Sequence, residues 1–216
     1  MSHQLIWLAS YPRSGNTLVR NTLESAWGIK TQSIYRDDPL PEMGKWDNRT
    51  WPNLYQGPPP WYVKTHEWEP ALSDAAALWI VRDSRDALVS QAHFMQTNDS
   101  DARPLPVILY DLICSGEWSR HSLIWQGRKA PTALVHFEKL IDSPVTVVAK
   151  ALAELGMELP PPDGSPMSFA GAHALNHDLF RRGKAGAWRD EFPAPLLKLF
   201  WHYNSHMMRE LGYAPE

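Results

Sequence analysis

Between Ser10 and Thr17 the chain reads Ser-Tyr-Pro-Arg-Ser-Gly-Asn-Thr. A short apolar stretch, QLIWLAS, leads in, and a run with helical spacing leads out. A strand that feeds a helix in this way leaves backbone N–H groups unpaired at the positive end of the helix dipole. Gly15 lets the backbone come close to a guest. Ser14, Asn16 and Thr17 add side-chain donors, and Arg13 adds a planar, permanently charged fork. A phosphate-like anion suits this set. The nucleotide-triphosphate loop, G-x-x-x-x-G-K-[ST], is a different pattern: here there is one glycine and no lysine after it. The competing reading is a plain strand–helix turn with an incidental cap.

Two further clusters could grip anions. In VRDSRDALVS, Arg82 stands at a strand end and Ser90 lies eight residues on. A helix starting near Arg85 would place Ser90 in its second turn, so both could close on one anion. Late in the chain, LFRRGKAGAW sets Arg181, Arg182 and Lys184 around Gly183 and Gly186. Such a glycine-hinged basic loop could fold over an anion. Each has a bland alternative, a surface ion pair for Arg82 and a solvated charge run for the loop. Together they point to one site with two separated anion cradles.

The elements that must hold these residues follow from periodicity. Residues 4–9, 61–65, 77–82 and 132–137 read as strands. Helices are expected over 16–27, stopping at Gly28, over 84–95, over 104–126, from Pro144 to Leu155, and over 194–211. Residues 30–60, rich in Pro, Asn, Asp and Gly, read as an irregular excursion too long for an ordinary connection. Residues 171–192 carry no clear pattern. Strands alternating with helices predict an α/β fold, a central parallel sheet flanked by helices on both faces. Ligands in such sheets bind beyond the carboxyl ends of the strands. Those ends carry Arg13, Lys64-Thr65-His66, Arg82 and Phe137-Glu138. One domain over 1–216 is expected.

Composition narrows the function further. Of the 216 residues, 44% are hydrophobic and 21% charged, which is globular rather than disordered. A net charge of −3 provides no global basic field for nucleic acid or membrane. The single cysteine, Cys114, sits in an apolar run and reads as a buried structural thiol. The N-terminus lacks the basic region of a signal peptide, and no run is long enough to span a bilayer. A cytoplasmic protein is expected. Eleven tryptophans, four of them within residues 46–68, suit either core packing or an aromatic pocket wall. The pairs His173/His177 and His202/His206 have i,i+4 spacing. Neither has an H-E-x-x-H pattern or an evident third ligand, so no metal is expected.

Four segments in order resemble the sulfotransferases that use 3′-phosphoadenosine 5′-phosphosulfate (PAPS). SYPRSGNTL is similar to the family's 5′-phosphosulfate loop, Y-P-K-S-G-T-T-W. VKTHEW resembles the K-T-H segment of the catalytic histidine. IVRDSRDALVSQAHF resembles the 3′-phosphate motif, R-N-x-x-D-x-x-V-S-x-x-x-F. RRGKAGAW resembles the late R-K-G-x-x-G-x-W motif. HFEKL and Met167-Ser168-Phe169 are weaker matches, to Y-E-D-L/M and to a T-S-F segment near adenine. There are departures. Arg13 stands for the usual Lys, Leu18 for the Trp that stacks on adenine, and Phe137 for Tyr. The stretch from Phe169 to Arg181 is short, and the family's dimer segment is absent from RDEFPAPLLK.

The resemblance implies a three-layer P-loop-like fold and transfer of a sulfuryl group from PAPS to an acceptor hydroxyl or amine, with PAP, adenosine 3′,5′-bisphosphate, as product. It implies His66 as general base, with Glu67 the alternative. Arg13 and Lys64 would neutralise charge at the sulfonate and leaving phosphate. Ser14, Gly15, Asn16 and Thr17 would hold the 5′-phosphate. Arg82, Ser90, Arg181, Arg182 and Gly183 would hold the 3′-phosphate. Leu18 takes the adenine-stacking position, and Phe137, Phe169 and Trp188 are candidates near adenine. The acceptor is expected to be a small molecule, aromatic or amphiphilic by the Trp, Tyr and Pro content of 34–61 and 95–110, although a peptide or glycan is equally compatible with short loops. The rival readings are a nucleotide or small-molecule kinase and a PAP-binding regulator without turnover.

Overall fold

The computed structural model describes residues 5–35, 59–97, 101–164 and 184–213. Among these residues five parallel strands form one sheet: β1 (Leu5–Ser10), β2 (Gln32–Ser33), β3 (Trp61–Thr65), β4 (Ala76–Val81) and β5 (Thr132–His136). Their order is β2-β3-β1-β4-β5. β1 pairs with β3 on one side and β4 on the other. The chain therefore reverses its direction of travel around β1, and the loop after β1 opens at that switch point, where parallel sheets take ligands.

The described helices are α1 (Asn16–Trp27), α2 (Ser84–Thr97), α3 (Leu105–Ser115), α4 (Glu117–Gln126), α5 (Phe137–Leu140), α6 (Pro144–Glu154) and α7 (Ala194–Glu210). Short 3₁₀ turns cover Glu69–Leu72 and Ala187–Asp190. Parallel strands covered on both faces need apolar residues at every position, and all six residues of β4, AALWIV, are buried. Successive side chains point to opposite faces. Trp7, Ala9, Ala77, Trp79 and Val81 pack with residues of α2, α3, α4 and α7. Ile6, Leu8, Ala76, Leu78 and Ile80 pack with residues of α1 and α6. The result is the expected three-layer α/β architecture.

Three elements differ from the sequence reading. The strand expected over 132–137 ends at His136, and Phe137 opens the short helix α5. The stretch read as irregular from residue 30 contains β2, whose two residues pair with Val63 and Lys64. A two-residue edge strand is too short to show alternation. The single helix expected over 104–126 is two. Gly116 adopts φ 63° and closes α3, and α4 starts at the next residue. The left-handed conformation suits glycine and ends a helix, and periodicity alone does not register such a one-residue break.

Candidate functional site

The loop after β1 is built from two left-handed residues, Arg13 at φ 63° and Gly15 at φ 104°. At Gly15 a Cβ would lie 2.6 Å from Phe137 Cδ2, so the loop lies tight against the start of α5. The Ser14 N–H donates to the Tyr11 carbonyl at 3.3 Å. The amides of Gly15, Asn16 and Thr17 have no partner among the described residues. The Ser14 hydroxyl is buried and also has no partner there. Asn16 faces inward instead: its Nδ2 donates to the Leu8 carbonyl at 2.7 Å and the Ser10 Oγ at 3.3 Å. It therefore stitches the loop to β1. Leu18 packs on the apolar cluster of the α1 and α6 face.

Arg13 is held from two sides. Its Nε donates to Ser90 Oγ at 3.2 Å, and its guanidinium lies 5.0 Å over the Phe94 ring. Both partners are on α2. Arg82, just past β4, donates from Nη1 to the Arg13 carbonyl at 3.0 Å and lies 4.3 Å over the Phe137 ring. Arg82 and Ser90 thus meet through Arg13, one on its backbone and one on its side chain. Nearby, Asp83 takes a bidentate pair from Arg85, with Nη2 to Oδ2 at 2.7 Å. The Glu138 carboxylate accepts the Asp83 N–H and the Tyr213 hydroxyl, each at 3.0 Å. Burial holds the Glu138 carboxyl above the ordinary range, against the pull of those donors.

His66 follows β3. Its Nδ1 lies 2.8 Å from the Ser10 carbonyl and 3.2 Å from Ser10 Oγ. A carbonyl only accepts, so Nδ1 carries the proton, and the neutral ring has its lone pair on Nε2. The His66 N–H donates to the Tyr35 hydroxyl at 2.7 Å, and the two rings stack at 5.5 Å. Tyr35 in turn donates to Glu67 Oε1 at 3.0 Å. Burial, then the Glu67 charge, pushes the Tyr35 phenol far above its ordinary value, so it stays a donor. Lys64 is buried, with Nζ 5.4 Å over the Tyr35 ring. Behind this group, Trp125 Nε1 donates to the Glu67 carbonyl at 3.2 Å. His121 lies edge-on to Tyr11 at 6.1 Å.

The structure brings Arg13, Ser14, Gly15, Arg82, Ser90, Phe137, Lys64 and His66 to the carboxyl ends of β1, β3, β4 and β5. Phe169, Arg181, Arg182 and Gly183 lie outside the described residues, as does 36–58, most of the stretch expected to line an acceptor pocket. Trp188 packs in the core cluster between α2 and α7, with Arg85 4.0 Å over its ring. Sequence reasoning gave no role to Ser10, Tyr35 or Asp86. Ser10 and Asp86 lie within the quoted motifs, the first opening SYPRSGNTL and the second at the D of R-N-x-x-D, but their long-range partners carry no local signal. Tyr35 sits in the stretch read as irregular. Among the described residues, no three His, Cys, Asp or Glu side chains gather as a metal site, and no helix is long and apolar enough to cross a membrane.

No protein-family model matches the chain. Over 92 residues, 42% of the chain, it is 37% identical to WSCD family member GA21586 of Drosophila pseudoobscura pseudoobscura. Over 86 residues it is 36% identical to WSCD family member CG9164 of Drosophila melanogaster. These matches span only 28% and 26% of the relatives' own length. Among solved structures, mouse sulfotransferase SULT7A1 complexed with PAP superposes with a TM-score of 0.73 at 20% identity, covering 97% of this chain and 85% of that one. Retinol dehydratase in a complex with retinol and PAP gives 0.61 at 17% identity, over 100% and 84%. The sulfotransferase domain from the curacin biosynthetic pathway gives 0.58 at 14% identity, over 100% and 99%. At these identities the likeness establishes the fold: the chain has the sulfotransferase fold.

Proposed function

Taking that fold as the premise, we propose that this chain is a single-domain, PAPS-dependent sulfotransferase acting on a small-molecule hydroxyl or amine. The observation that carries this reading is the junction at Ser10. Its carbonyl takes the proton-bearing Nδ1 of His66 at 2.8 Å, and its Oγ takes Asn16 of the anion loop at 3.3 Å. One residue thus fastens the proposed base and the proposed phosphate cradle together.

The donor set fits the nucleotide. The amides of Gly15, Asn16 and Thr17, which have no partner among the described residues, match a 5′-phosphate together with the buried Ser14 hydroxyl. Arg13 and Lys64 supply the charge for a sulfonate and a leaving phosphate oxygen. Arg82, Ser90 and the late basic loop supply a second cradle for the 3′-phosphate. The acceptor oxygen attacks sulfur and gives its proton to His66 Nε2. The bond from sulfur to the 5′-phosphate oxygen breaks, and PAP leaves with that electron pair. Loose in-line transfers of this kind depend on alignment and charge stabilisation. His66 suits the work because an imidazole titrates near neutrality. Glu67 is exposed, and its carboxylate is engaged by Tyr35, which favours His66 over it.

Calorimetric titration with PAP in EDTA, with adenosine 5′-monophosphate (AMP) as control, tests the reading. Tight PAP binding with a large loss for AMP is expected. Failure of the folded protein to bind PAP would overturn the assignment and favour the kinase reading, whose phosphates need Mg²⁺.

A further inference from the structure

Asp86 is buried in the first turn of α2, at 3% exposure. Its Oδ2 accepts the Gly186 N–H at 2.7 Å, and its Oδ1 accepts the Trp188 N–H at 2.8 Å. The same carboxylate lies 4.0 Å from Arg82 Nη2. Both oxygens are thus spent on the backbone of a segment a hundred residues away. That segment directly continues the basic run Arg181-Arg182-Gly183-Lys184. Gly186 adopts φ 77°, a left-handed bend at the point where the amide meets the carboxylate. Seven residues further along α2, two turns on the same face, His93 Nε2 lies 2.6 Å from Glu191 Oε2. Ser90, which holds Arg13, stands between them on that face.

We infer that Asp86 is a positioning residue for the 3′-phosphate site at Arg82: its carboxylate seats the backbone from Gly186 to Trp188 beside Arg82. The inference rests on the PAPS reading for its ligand, though not for the seating itself. Charge-assisted bonds to two amides are strong and directional, and a carboxylate beside an anion site is otherwise unfavourable. Asp86 therefore acts through the groups it holds and touches no phosphate. The His93–Glu191 pair fastens the far end of the same segment to the same helix.

Asp86→Asn keeps the side-chain size but turns an NH₂ toward one of the two amides. Two measurements are made on the full chain. The first is backbone amide exchange at Gly186 and Trp188, which needs no nucleotide. The second is binding of PAP against AMP. Exchange at both amides is expected to accelerate. PAP affinity is expected to fall roughly tenfold with AMP affinity unchanged, the equivalent of about one charged hydrogen bond. A merely structural role would lower the melting temperature and leave the PAP-to-AMP ratio intact. A folded variant with wild-type exchange, or with the wild-type ratio, overturns the inference. If wild-type protein does not prefer PAP, the nucleotide reading fails along with the ligand part of the inference, while exchange still decides the seating. If Asp86→Asn does not fold, Glu191→Gln takes its place. It loosens the far tie alone, with an expected PAP loss of roughly threefold, and an unchanged ratio counts against the inference.

Discussion

His66 is useful as a base only in one tautomer, and the fold selects it. The Ser10 carbonyl at 2.8 Å demands the proton on Nδ1, and the Tyr35 hydroxyl at 2.7 Å fixes the backbone from which the ring hangs. Neither constraint needs a charged partner. His66→Ala should lower turnover by about 10²–10⁴-fold, the usual worth of a positioned general base. PAP affinity should hardly change, because the phosphate donors are on other residues. PAP release from PAPS with a panel of phenols and alcohols measures the first, and calorimetry the second. Near-normal turnover in the folded variant would remove His66 from the mechanism and turn attention to Glu67.

The strand–loop–helix unit around Gly15 shows which features sequence can and cannot reveal. The loop, its glycine and the start of α1 were legible because strand, turn and helix signals fall within about 20 consecutive residues. The Gly15 conformation was also expected in kind, since a close backbone approach suits glycine. What it approaches was not: the neighbour is Phe137, just past β5 and two strands away from β1. In the same way His66 and Arg82 were legible at strand ends, while Tyr35 and Asp86 act through contacts over 31 and 100 residues of chain. Local pattern carries no record of such pairings. Gly15→Ala therefore faces two penalties, φ 104° and a methyl 2.6 Å from an aromatic carbon. A loss of about 1–3 kcal/mol is expected in urea unfolding, with weakened PAP binding. Adding Phe137→Leu should restore part of the stability but not the binding, because the left-handed φ remains. Full recovery of both would show that the steric contact alone matters.

Across the whole molecule, the site rests on one of the two apolar layers, and that layer contains a titratable group. His121 of α4 is 7% exposed, beside Tyr11 of the anion loop and Trp125, which holds the Glu67 carbonyl. Burial lowers its pKa from 6.5 to about 3, outweighing a smaller opposing pull from the His66 backbone. The unfolded imidazole takes a proton as pH drops below 6.5, and the folded one refuses it until about pH 3. The unfolded state therefore binds more protons across that window, and acid works against folding through it. With 1.36 kcal/mol per pH unit as the limiting slope, about 2 kcal/mol should be gone by pH 5. His121→Leu removes the proton site and keeps an apolar side chain. Urea unfolding of wild type and variant at pH 7.5 and 5.0 gives the difference directly. Wild type should lose about 2 kcal/mol more than the variant between those two values. Equal losses would mean that His121 can take its proton in the folded state. The layer behind Tyr11 and Glu67 would then tolerate charge, and the acid sensitivity of the fold would have to originate elsewhere.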